Sequence, residues 1–172
     1  MQSKPMNSLN NSVNSPGENC YIAFRGGVSA LSPTNPDASV SGMTGKQPII
    51  VVIDDSRASL TMYERSVETL AVTLTTFQSP REGYDHLRGQ GADLVFLGNL
   101  MRETDGLTLL RKLRDLDHHT TTPVVVMSTK DYDQDRAMAK KLGALQYLIK
   151  PVRSQEIREV IEKYTGARRR DA

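Results

Sequence analysis

The chain has 172 residues, 38% of them hydrophobic and 24% charged, with a formal charge of +2. That balance supports one buried core plus an extension, and it is too weakly basic to imply nucleic acid or an acidic membrane as a partner. Cys20 is the only cysteine, which excludes a disulfide framework and a thiolate metal cluster. No apolar run approaches the ~18 residues of a membrane span, and an N-terminus with Lys4 as its early positive charge lacks the apolar core of a signal peptide. A cytoplasmic protein is the expectation.

Residues 1–47 are rich in Ser, Asn, Pro and Gly, as in NSLNNSVNSPGEN. Such composition buries too little apolar surface to offset the entropy of ordering, so a disordered or flexible extension is expected there. Tyr21-Ile22-Ala23-Phe24 interrupts it with a small apolar patch. At Pro48 the pattern changes. Ile49 to Ile53 is a continuous apolar run ending in Asp54-Asp55, the pattern of a strand buried on both faces. Leu60, Tyr63, Val67 and Leu70 then recur at three- and four-residue steps, predicting a helix over 57–70. Val72 to Phe77 reads as a second strand. Ser79 before Pro80 opens a second helix, as N-cap and first helical residue. Leu94 to Leu97 is a third strand, with a helix over Leu107 to Leu116. Pro123 to Met127 is a fourth, followed by a charged helix over 131–142 closed by Gly143. Ala144 to Ile149 supplies the fifth strand, and Ser154 is expected to cap a last helix with Ile157, Val160, Ile161 and Tyr164 on one face. A short basic tail, 167–172, is expected to fray. Asp117-His118-His119 is expected to be a solvated loop.

Five strands alternating with five helices predict an α/β, doubly wound, flavodoxin-like fold with a five-stranded parallel sheet, because parallel strands need crossover connections. Ligands of such folds sit at the carboxyl ends of the strands. Asp54, Asp55, Gly98, Ser128 and Lys150 all fall at those ends, which makes them the candidate site.

The segments IIVVIDDSR, DLVFLGNLMRETDGLTLLRKLR, PVVVMSTK and GALQYLIKPV resemble the receiver domain of two-component response regulators, of the single-domain chemotaxis type, over residues 48–166. The resemblance implies that Asp54 and Asp55 are the acidic pair beside a magnesium ion, Ser128 the phosphate-binding hydroxyl, Tyr147 the aromatic that swings inward, and Lys150 the phosphate-binding lysine, with Pro151 after a cis peptide. The aspartate that would accept phosphate is absent. Aligning Asp105-Gly106-Leu107 with the family's downstream Asp-Gly turn places Gly98 at that position without a gap. Arg102 also replaces the usual proline.

Two carboxylates without a third, and without a covalent phosphate, give weak magnesium ligation at best, and Lys150 is free to pair with Asp54 or Asp55. The implied function is an atypical receiver in two-component signalling, a non-enzymatic adaptor whose protein partner docks without phosphorylation of the central site. The implied surface is the fourth helix, fifth strand and fifth helix, including Lys140, Lys141, Tyr147 and Arg158. A signalling kinase, effector or scaffold is the expected partner, with a homodimer as a further class. A second reading holds a small anion or free phosphate on Ser128 and Lys150. A third is a phosphate-handling hydrolase with one member of the aspartate pair as nucleophile.

Overall fold

The computed structural model describes residues 46–170. The expected extension, with Cys20 and the Tyr21 to Phe24 patch, lies outside the described residues apart from Lys46 and Gln47, as do Asp171 and Ala172. Five strands and five helices alternate: β1 (Ile49–Ile53), α1 (Arg57–Val67), β2 (Thr73–Phe77), α2 (Pro80–Gly89), β3 (Leu94–Gly98), α3 (Gly106–Arg114), β4 (Val124–Ser128), α4 (Asp133–Lys141), β5 (Gln146–Ile149) and α5 (Ser154–Thr165). The sheet is parallel throughout, in the order β2-β1-β3-β4-β5.

Each face of the sheet takes alternate residues of the central strands, as the two-residue period of a strand requires. Ile50, Val52, Phe96 and Met127 pack with Leu60, Tyr63 and Val67 of α1 and with Ile157, Val160 and Ile161 of α5. Val51, Ile53, Leu97 and Val126 pack with Leu87 of α2, Leu110 and Leu113 of α3 and Ala139 of α4. Each fully buried aliphatic side chain contributes roughly 1.5–3 kcal/mol. β1 ends at Ile53, where the apolar run that both helical layers cover gives way to Asp54.

The caps explain several boundaries. Ser79 Oγ accepts the Glu82 N–H and Asp105 Oδ2 the Thr108 N–H. Gly143, at φ 76°, ends α4, and Gly166, at φ 66°, ends α5 in the left-handed region that favours glycine. Ser154 is the first residue of α5, and Arg153 stands at the cap position with no side-chain capping bond. α1 stops at Val67, short of Leu70, which instead bridges the C-terminal segment in an antiparallel pair with Arg169. The expected frayed tail is docked as far as Arg170. Ala167 is buried, Ala71 N–H donates to Arg168 O, and Arg170 donates from its backbone to Thr69 O and from Nε to Leu70 O.

The turn from β3 into α3 is unusually close. A Cβ on Gly106 would lie 2.1 Å from Gly98 O and 2.8 Å from Asn99 Cα, so only glycine fits. Gly106→Ala is expected to destabilise the domain by about 3 kcal/mol or more, because the obstruction is backbone and cannot repack. A urea midpoint close to wild type would contradict this.

The histidine loop is another departure. Asp117–His119 forms a short 3-10 turn, and His119 is 1% exposed. Its Nε2 faces the carbonyls of Leu87 at 2.9 Å and Gln90 at 3.1 Å, which only accept, so Nε2 carries the proton. Nδ1 then accepts the Thr122 hydroxyl at 2.9 Å. Arg114 fastens the same region, donating to His119 O, Leu142 O and Gly143 O. Burial lowers the His119 pKa below 6.5, opposed by the two carbonyl bonds and reinforced by His118 and Arg114. The unfolded chain therefore takes up this proton first as pH falls. The contribution is present above the ordinary histidine value and lost below it. The urea midpoint of wild type should fall between about pH 7 and pH 5, and the fall should be shallower in His119→Gln. Parallel profiles would contradict it.

Candidate functional site

Three strand ends converge on the first pair of charges. Asp54 follows β1 directly, donates its N–H to Phe77 O, and is 1% exposed. Its Oδ1 accepts the Ser56 N–H at 3.0 Å, and its Oδ2 pairs with the ammonium of Lys150. Lys150 leaves the end of β5, where its backbone N–H donates to Ser128 O at 2.8 Å and its peptide bond to Pro151 is cis. Asp55 is turned to the other side. Its Oδ2 accepts the backbone N–H of Arg102 at 3.1 Å, and the Arg102 guanidinium stands 3.9 Å away. That guanidinium is 91% exposed, so the backbone bond carries most of this contact.

Gly98 ends β3 beside Met127 of β4. A Cβ there would meet Ile53 O and Met101 Cγ, each at 3.4 Å, with Met101 Sδ at 3.5 Å. The methionine side chain thus covers the position. Neither acid on the following loop turns back toward it: Glu103 Oε2 accepts the Ser79 hydroxyl, and Asp105 caps α3. Ser128 is buried and its Oγ accepts the Lys130 N–H at 3.1 Å, closing the turn into α4.

Tyr147 belongs to a second network, which sequence reasoning missed apart from the tyrosine itself. Its hydroxyl donates to Lys130 O at 3.2 Å and lies 3.4 Å from the Asn99 side-chain nitrogen. Asn99 Nδ2 donates to Asp135 Oδ2 of α4 at 3.0 Å. Arg136 crosses the Tyr147 ring at 5.2 Å, donates to Tyr147 O, and pairs with Asp131 at 2.6 Å. The hydrogen bond and charge of Arg136 hold the Asp131 carboxyl below its usual range. Asp135, in the first turn of α4, is thereby spent on Asn99. The available signal was a polar residue directly after a five-residue buried strand.

Magnesium prefers octahedral oxygen ligation from one or two carboxylates with several waters and a phosphate. The donors here do not fit it as they stand. One Asp54 oxygen holds an ammonium, the other a backbone N–H, and one Asp55 oxygen holds another backbone N–H. Among the described residues no group of three or more His, Cys, Asp or Glu is placed to hold a metal ion. Below the site, Tyr63 packs on Phe96 at 5.1 Å, and burial, then the Asp54 charge, push its phenol well above its ordinary pKa.

The model of the response regulator receiver domain family matches residues 50–162. The chain belongs to that family. Among similar proteins, the cyclic di-GMP phosphodiesterase response regulator RpfG of Xanthomonas campestris pv. campestris (strain 8004) is 30% identical over 111 residues, 63% of this chain and 29% of RpfG. The transcriptional regulatory protein ZraR of Escherichia coli (strain K12) is 29% identical over 121 residues, 70% of this chain and 27% of ZraR. The receiver domain thus corresponds to less than a third of either relative's length. The solved structure of the chemotaxis response regulator CheY4 of Vibrio cholerae has the same fold, with a TM-score of 0.65 at 17% identity over 69% of this chain and 99% of that one. The expected doubly wound fold of five parallel strands and five helices is what the chain adopts. Among the described residues no helix is long and apolar enough to cross a membrane.

Proposed function

We propose that this receiver domain works in two-component signalling as a protein-binding adaptor that takes no covalent phosphate at its central position. The observation that carries this reading is the closed charge balance of the pocket. The residue at the end of β3 is a glycine, and the ammonium of Lys150 is spent on the buried Asp54. An acyl phosphate needs a carboxylate, and a phosphoryl group needs a free cation to meet it. Both are missing. Magnesium affinity is accordingly weak, since binding must displace Lys150 or the N–H donors of Ser56 and Arg102.

The partner surface is the face of α4, β5 and α5. Tyr132, Met138 and Leu145 are exposed there by 54%, 38% and 39%, beside the exposed cations Lys140 and Lys141. A groove lined by Arg136, Lys140, Leu145 and Tyr147 runs between α4 and β5. Apolar anchors ringed by cations suit a protein with an acidic patch. A kinase, effector or scaffold fits, and so does a second copy. The anion-sensing alternative is weaker, because the Lys150 ammonium that would meet the anion is already paired with Asp54.

The test is intact-mass analysis of the full chain after incubation with acetyl phosphate and magnesium. Wild type should gain no phosphoryl adduct. An acid-labile adduct on any aspartate would overturn the proposal.

A further inference from the structure

The residue after Gly98 inverts the usual arrangement of polar and apolar side chains. Asn99 is 1% exposed, whereas its apolar neighbour Leu100 is 52% exposed. Burying the amide is costly here, because Asn99 Oδ1 has no hydrogen-bond partner. A leucine or methionine would fill such a place without leaving an acceptor unmet. Core packing therefore does not account for asparagine.

The two contacts of its nitrogen do. One goes to Asp135 Oδ2 in the first turn of α4, at 3.0 Å, and the other toward the Tyr147 hydroxyl of β5, at 3.4 Å. On its backbone side Asn99 is fixed, donating its N–H to Met127 O and accepting from Gly106 N–H, each at 2.7 Å. A rigid strand end is thus tied through one amide to the two elements that flank the proposed docking groove. Tyr147 is held from the other side by Lys130 O at 3.2 Å and by the Arg136 guanidinium over its ring.

We infer that Asn99 is a positioning residue that pins Tyr147 and the start of α4 in one arrangement, so that the docking face is preorganised without a phosphoryl group. This deepens the adaptor reading, but its test does not depend on phosphorylation. If acetyl phosphate labels wild type, the adaptor reading fails while the strut can still stand.

Three variants of the full chain test it by amide hydrogen exchange and by ring-labelled tyrosine NMR, with the Tyr147 signal assigned through Tyr147→Phe. Asn99→Asp sets a second carboxylate against Asp135. Exchange in α4 should rise at least tenfold, and the Tyr147 signal should broaden or split, while β1 and β3 keep their protection. Adding Asp135→Asn reverses donor and acceptor and should restore both. Asn99→Leu, which fills the buried place without charge, should leave the urea midpoint unchanged or raised while α4 still loses protection. Unchanged α4 protection and an unchanged Tyr147 signal in Asn99→Leu would overturn the inference. So would a uniform loss of protection across the sheet, or failure of Asp135→Asn to rescue.

Discussion

Gly98→Asp should acquire a phosphoryl group from acetyl phosphate where wild type acquires none. The position has room: an added Cβ meets the backbone oxygen of Ile53 and Met101 Cγ at 3.4 Å, ordinary contact, and the methionine side chain is flexible enough to give way. The backbone there is extended strand, so no left-handed strain arises. A third carboxylate beside Asp54 and Asp55 raises like-charge repulsion, which a divalent cation relieves. Magnesium affinity, followed by calorimetry, should therefore rise at least tenfold, equivalent to about 1.4 kcal/mol. A variant that folds but gains neither property would place the block in the loop, where the Arg102 N–H occupies Asp55. Gly98→Asp combined with Arg102→Pro removes that donor, and it should then gain both properties.

Lys150→Met should cost about 3 kcal/mol of stability, read from urea denaturation. The lysine side chain is 17% exposed and Asp54 only 2%, so removing the ammonium leaves a carboxylate in the interior with one backbone N–H. Breaking a buried pair from one side typically costs about 3–5 kcal/mol, and partial exposure of the lysine end puts this case at the lower limit. Asp54→Asn with Lys150→Met should recover most of the loss, because a neutral amide needs no counterion. If the single and double variants are equally unstable, the loss comes from the methylene packing of Lys150 and not from the stranded charge.

The sheet was legible because its signals are local. The run from Ile49 to Ile53 is β-branched, short and bounded by Pro48 and Asp54, the pattern of a strand covered on both faces, and Ser79-Pro80 marks a helix start to the residue. The strand-end positions of Asp54, Gly98, Ser128 and Lys150 followed from the same pattern. What escaped depends on partners distant in sequence. Asn99 reaches across 36 residues to Asp135, and Arg170 across 100 to Leu70. His119 looked like a loop residue because its neighbours are polar, yet carbonyls 29 and 32 residues earlier hold its ring inside. Periodicity carried α1 on to Leu70 because that side chain joins the same core cluster as Leu60, Tyr63 and Val67, although its backbone has left the helix and bridges to Arg169.

Helix α4 is moored at both ends. Asp135 ties its opening turn to the tip of β3, and Arg114 of α3 grips the carbonyls of Leu142 and Gly143 just past its close. A beam pinned twice does not pivot. A load on its exposed side either slackens one mooring or drags the strand tip along, so force applied at the surface is felt beside Gly98.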